Sequence, residues 1–292
     1  MSTQTLTSPG VSVPRAARLN FSGVLRAEWR KFHTVRSTWI LSLTAAGILL
    51  LFAFGFSLIL GATISKYGSE EVTGGSVAPG MFTNSMATAG LTIAALLFSA
   101  AVVVSIAGEF SSHSIISTFS AVPKRWPTYL AKTLVTGVLG FVAGVVGHVV
   151  AALLAWVGLS MTGMDTELGL GATTHQALVT GLYVLVLTWL GLGLGALMRN
   201  TAGAVVSVSI FVYLIGQVLQ GLAAGMHRDW LTWLAYHVPT SAVDALRGEG
   251  GNAMAVATQT SMATWDAWLT VAFWALVPLA LGAVAYQRRD VK

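Results

Sequence analysis

The chain has 292 residues, 55% of them hydrophobic and only 9% charged, with a net charge of +5, a mean hydropathy of +0.74 and no cysteine. A soluble domain carries roughly a quarter of its residues as charges, so the composition excludes an ordinary water-soluble fold and predicts an integral membrane protein. The lack of cysteine excludes a disulfide framework, thiol catalysis and thiolate metal sites, and leaves the redox compartment open.

Residues 1–20, rich in Ser and Thr, lack an apolar core and a cleavage site. They are expected to form a disordered cytoplasmic tail and not a removable signal peptide. In residues 21–38, FSGVLRAEWRKFHTVRST, Leu25, Trp29 and Phe32 recur at helical spacing while Arg26, Arg30 and Lys31 occupy other faces. That pattern predicts an amphipathic helix lying in the inner membrane interface. The alternative is a basic flank that only orients the first span.

Six runs then reach the roughly 20-residue apolar length of a transmembrane helix: residues 39–64, 86–107, 130–161, 177–198, 202–224 and 268–286. They are continuous, without the alternation of a transmembrane barrel. The expected fold class is therefore an all-α integral membrane protein, six transmembrane helices within 39–287 and a cytoplasmic tail at 288–292. Counting Lys and Arg loop by loop sets both termini in the cytoplasm. Arg26, Arg30, Lys31, Arg36, Lys124, Arg125, Lys132, Arg199 and Arg288 are then among the inner cations, against Lys66, Arg228 and Arg247 outside.

Between spans two and three, GEFSSHSIISTFSAVPKRW (108–126) sets Ile115, Ile116 and Phe119 on one face of a short helix that Pro123 ends. It reads either as a docking helix or as an ordered turn packed on its own spans. In the third span Gly137, Gly140, Gly144 and Gly147 share a face, and Gly191 with Gly195 and Gly221 with Gly225 repeat the spacing, which predicts close helix packing. Thr88, Thr92 and Ser99 align in the second span, and Ser209, Tyr213, Gln217 and Gln220 in the fifth. Such stripes either hydrogen-bond a neighbouring helix or line a path, and both readings stand.

The loop between spans five and six is the long one. Trp230, Trp233, Tyr236, Trp265 and Trp268 are spaced through it, which suits the membrane boundary and an outer, re-entrant-like segment. After Pro239, Ser241 and Asp244 have capping-box spacing, predicting a short helix that ends near Gly248.

No catalytic, cofactor-binding or metal-binding residue emerges. The histidines lack ligand spacing, and no Walker-type phosphate loop is present. No Asp, Glu, Lys or Arg falls near the middle of a span, which argues against an ion-coupled carrier. His148 reads as a neutral histidine satisfied at a helix contact in preference to a relay. The positive charge marks membrane orientation, not a nucleic-acid partner.

Three stretches carry a family resemblance. LRAEWRKFHTVRSTW (25–39) is similar to an L-x-x-E-W-x-K-x-x-x-x-R-S-T-W pattern, matched here by Leu25, Glu28, Trp29, Lys31 and Arg36. The 108–126 stretch is similar to G-E-Y-S-x-G-T-I followed by a basic V-P end, matched by Glu109, Lys124 and Arg125, with His113 and Ser114 standing where Gly-Thr is frequent. YHVPTSA (236–242) is similar to a Pro motif of the outer segment. Together they resemble the permease subunit of type-2 ABC transporters, the export class, over residues 21–289. The resemblance implies a cell-membrane dimer, homo- or heteromeric, coupled to separate ATPase subunits that carry ATP and Mg, with no enzyme activity or cofactor in this chain. It implies coupling through Glu109, Ile115, Ile116, Phe119, Lys124 and Arg125, and a path lined from spans two and five. It says little about cargo. A membrane-anchored interaction or assembly subunit that moves nothing is the rival; an ion-coupled secondary transporter is a weaker one, which an internal repeat would favour and none is visible.

Overall fold

The computed structural model describes residues 20–68, 79–112, 114–115, 125–164, 166–248 and 262–288. Among them every regular element is a helix, and six helices are long and apolar enough to cross a membrane. The N-terminal helix α1 (Phe21–Thr34) breaks at the extended residue Val35 and gives way to α2 (Arg36–Tyr67), the first span. The second span, Phe82–Ser111, is built from α3 (Pro79–Ala87) and α4 (Leu91–Ser111), with a turn at 88–90. Spans three and four are α5 (Arg125–Met161) and α6 (Leu170–Met198). Span five, Thr201–Met226, runs through α7 (Thr201–Ser209), a π-helical turn at Ile210–Leu214 and α8 (Ile215–Met226). The short helices α9 (Asp229–Tyr236) and α10 (Pro239–Arg247) precede α11 (Thr264–Arg288), the sixth span.

Every span overshoots the apolar run that predicts it. The third begins at Arg125 where hydropathy alone starts it at 130, and the fourth at Leu170 in place of 177. A helix already nucleated adds one hydrogen bond per residue and continues through polar flanks.

Span four is the centre of the bundle, packing against spans three, six and two and the short helix α10. Its most apolar window is 72% buried, against 22% for spans one and five. Glycine permits this. Where α5 crosses α6, a Cβ on Gly144 would stand 2.7 Å from the Gly181 Cα and 2.9 Å from the Thr180 carbonyl oxygen. Where α6 meets α11, a Cβ on Gly193 would run into the Pro278 carbonyl, and one on Gly282 into Gly193 itself. The Gly face of span three therefore does pack: Gly137 lies against Trp189, Gly140 against Thr188, and Gly147 against Leu49 of the first span. Gly191 and Gly195 lie against Ser99 and Ile106 of span two. Gly221 and Gly225 correct the expectation, since none of the described residues comes within 4 Å of a Cβ at either.

One further expectation is corrected. Helix α10 begins at Pro239, whose fixed φ suits a first helical position, and no side chain caps it. Ser241 instead donates to the Ala235 carbonyl oxygen and Asp244 accepts from Arg247. In α1 the protein-facing residues are Val24 and Glu28, with Leu25 and Phe32 half-buried, whereas Trp29 is 43% exposed. A carboxylate takes the inward position because Lys132 of span three and Lys31 of its own helix meet it there.

Candidate functional site: a buried charge cluster at the α1 end

Glu28 leaves the buried face of α1, Glu109 stands in the last turn of α4, and Lys132 lies two turns into α5. The three converge. Lys132 Nζ donates to Glu28 Oε2 at 2.7 Å and to Glu109 Oε1 at 3.0 Å. Lys31 Nζ, one helical turn after Glu28, donates to Glu28 Oε1 at 2.9 Å and to Glu109 Oε1 at 3.1 Å. Two ammonium groups and two carboxylates alternate, so each buried charge faces opposite ones.

Burial sets the ranking within the cluster. The side chains of Glu28 and Lys132 are each 4% exposed, Glu109 12% and Lys31 38%. Burial by itself pushes the Glu28 carboxyl up, but Lys132 and then Lys31 outweigh it and hold the group below its ordinary range. A buried ion pair gives little net stability over an apolar replacement, yet removing one partner strands the other charge. The arrangement therefore acts as a geometric tie: α1 cannot leave spans two and three without exposing or stranding charge. Glu109 Oε2 is buried and has no hydrogen-bond partner among the described residues.

The coupling set splits. Glu109 is in the cluster; Arg125 opens α5 and donates to the Gln287 carbonyl oxygen at 3.2 Å, joining spans three and six. Ile115 is fully buried in the chain's own hydrophobic core, which corrects its expected place on a docking face. Ile116, Phe119 and Lys124 lie outside the described residues. In the interfacial helix Arg36 is exposed at the start of α2, and Phe32 stacks towards Phe98 with ring centroids 6.4 Å apart.

The polar stripes also divide. Ser99 is fully buried and donates to the Leu187 carbonyl oxygen at 2.7 Å, so it bonds a neighbouring helix and lines no path. Thr88 and Thr92 are half-buried, Thr88 turning its hydroxyl to the Ser85 carbonyl oxygen. Tyr213, Gln217 and Gln220 are exposed on one side of span five, while Ser209, ahead of the π-helical turn, is half-buried and bonds back to Val205. Gln220 donates to Ser241 of α10 at 3.3 Å.

At the opposite end sequence reasoning missed a second buried group. Arg247 Nη1 pairs with Asp244 at 2.9 Å, and Nη2 donates to Thr180 Oγ1 at 3.3 Å. Asn84 Oδ1 only accepts, so His148 Nε2 carries the ring hydrogen and, in a neutral ring, Nδ1 accepts the Thr180 hydroxyl hydrogen, each at 3.3 Å. This directional chain joins α10, α6, α5 and α3, and it satisfies His148 as a neutral ring at a helix contact. Gln176 adds a bond to the Arg247 carbonyl oxygen at 2.9 Å. The spacing of Thr173, Gln176 and Thr180 along span four was the available signal.

Among the described residues no group of three His, Asp or Glu side chains could hold a metal ion. No family model matches the chain, and no curated protein matches it.

Proposed function

We propose that this chain is the permease subunit of an ATP-driven exporter, working as a pair of six-span chains in the cell membrane with separate ATPase subunits on the cytoplasmic side. In this reading the α1 end and both termini face the cytoplasm. The observation that carries the proposal is the tie of Glu28, Lys31, Glu109 and Lys132: an interfacial helix, the root of the loop after span two and the start of span three are held by one set of charges. A subunit that converts a push at that loop into span movement requires such a rigid joint. The exposed polar side of span five, Tyr213 to Gln220, supports a second copy across a shared polar path, because polar side chains facing lipid are costly. Reconstitution with the associated ATPase and measurement of Glu109→Gln hydrolysis tests the reading.

A further inference from the structure

Between α1, the end of α4 and the start of α5 lies a cleft of about 420 Å³, within the roughly 300–1,000 Å³ of small-ligand sites. One wall is aliphatic and aromatic, made by Phe32, Val35, Val104 and Val135. The hydroxyls that interrupt it are already engaged: Ser105 donates to the Val102 carbonyl oxygen and Thr136 to that of Lys132. The wall therefore asks for hydrocarbon.

The charge cluster also lines the cleft, and its most accessible member is a cation. Glu28 and Lys132 keep 4% side-chain exposure each, while Lys31 keeps 38%. Arg26, Arg30 and Arg36 are exposed along α1 and the first turn of α2, and the only acid of α1 is the buried Glu28. A ligand approaching the cleft meets positive potential beside an apolar surface. A free anion would satisfy the first and leave the second wet.

We infer that this cleft binds one anionic phospholipid, its head group at Lys31 and one acyl chain along Phe32, Val104 and Val135. The lipid bridges α1 to spans two and three in parallel with the ion pairs. The site is independent of the transport reading, since a chain that moves nothing could hold such a lipid equally well.

Gly108 gives the decisive variant. It lines the cleft, and a Cβ built there meets nothing within 4 Å among the described residues, so Gly108→Phe fills the space without pushing on their backbone. The full-length protein in detergent is titrated with phosphatidylglycerol, with phosphatidylcholine and with inorganic phosphate, and read by native mass spectrometry and thermal unfolding. One phosphatidylglycerol is retained per chain, phosphatidylcholine is retained several-fold less, and phosphate moves nothing. Lys31→Met weakens retention about fivefold, the weight of one basic side chain near an anionic lipid. Gly108→Phe abolishes retention; if that variant fails to fold, Val104→Trp fills the same cleft. Equal retention of the two lipids, undiminished phosphatidylglycerol on a folded, filled variant, or an effect of phosphate as large as the lipid's overturns the inference.

Discussion

Lys132 and Glu28 face each other at 2.7 Å although they lie on different helices, one in a span and the other in the N-terminal helix. Both are almost wholly buried, and each has a second partner, Glu109 for the lysine and Lys31 for the glutamate. The joint between α1 and the bundle is therefore electrostatic at its centre and apolar at its margin, where Phe32 reaches Phe98.

Removing the central lysine should be the most damaging single change in the cluster. Lys132→Met leaves two carboxylates sharing the half-exposed Lys31 as their one remaining cation in the cluster and should cost about 3–5 kcal/mol. Lys31→Met, at a half-exposed position, should cost under about 1 kcal/mol. Unfolding midpoints in detergent rank the two, and equal losses would mean that the cluster has no buried centre.

Acid should loosen the same joint in a defined direction. Because the folded-state pKa of Glu28 is lowered, its contribution is present above the unfolded carboxylate value of about 4.3 and is lost as pH falls through the lower folded value. The opening of α1, read as amide hydrogen exchange corrected for its intrinsic pH dependence, should be flat between about pH 7 and 5 and should rise only below about pH 4. Glu28→Gln should remove that acid limb. A rise centred near neutrality would assign the titration to another group.

Glycine spacing alone does not foretell packing, and two positions separate the cases. Gly144→Ala puts a methyl against the backbone of Thr180 and Gly181, which cannot move aside, and should cost about 1–3 kcal/mol. Gly221→Ala meets nothing within 4 Å and should be neutral or stabilising by up to about 1 kcal/mol. A loss at Gly221 as large as that at Gly144 would show that a partner covers that face.

Much of this architecture was legible in the sequence, because apolar runs of span length and a Gly face each have one economical physical reading. Hydropathy found all six spans, and the step from Gly137 to Gly147 found a close-packing face without identifying span four as its main neighbour. What was not legible depended on which helices become neighbours. Glu28 and Glu109 stood out only as motif positions, and their convergence on Lys132 is set by the packing of α1 and the end of α4 against α5. Ile115 showed an apolar face without showing whether that face turns inward. Arg247 was counted as an outer charge, since nothing local reveals that Thr180 and Gln176 receive it.

The cysteine-free background allows a direct test of the polar side of span five. Cysteines at Tyr213, Gln217 and Gln220 should react with a charged, water-soluble thiol reagent, while exposed apolar positions of span three such as Val142 and Val146 should not. Ser99→Cys should stay unreactive, because that side chain is buried against span four. Resistance at Tyr213 and Gln217 equal to that at Val142 would place this side of span five in lipid.

The central claim is that the tie at Glu109 transmits between an ATPase and the spans. Its most direct test is ATP hydrolysis in liposomes by the chain purified together with its ATP-hydrolysing subunit, wild type against Glu109→Gln. The account predicts that an ATPase subunit co-purifies with both forms in equal amount and that the Gln variant hydrolyses ATP several-fold more slowly. A chain that purifies from its native membrane with no ATP-hydrolysing subunit, or a Gln variant with undiminished hydrolysis, would contradict it.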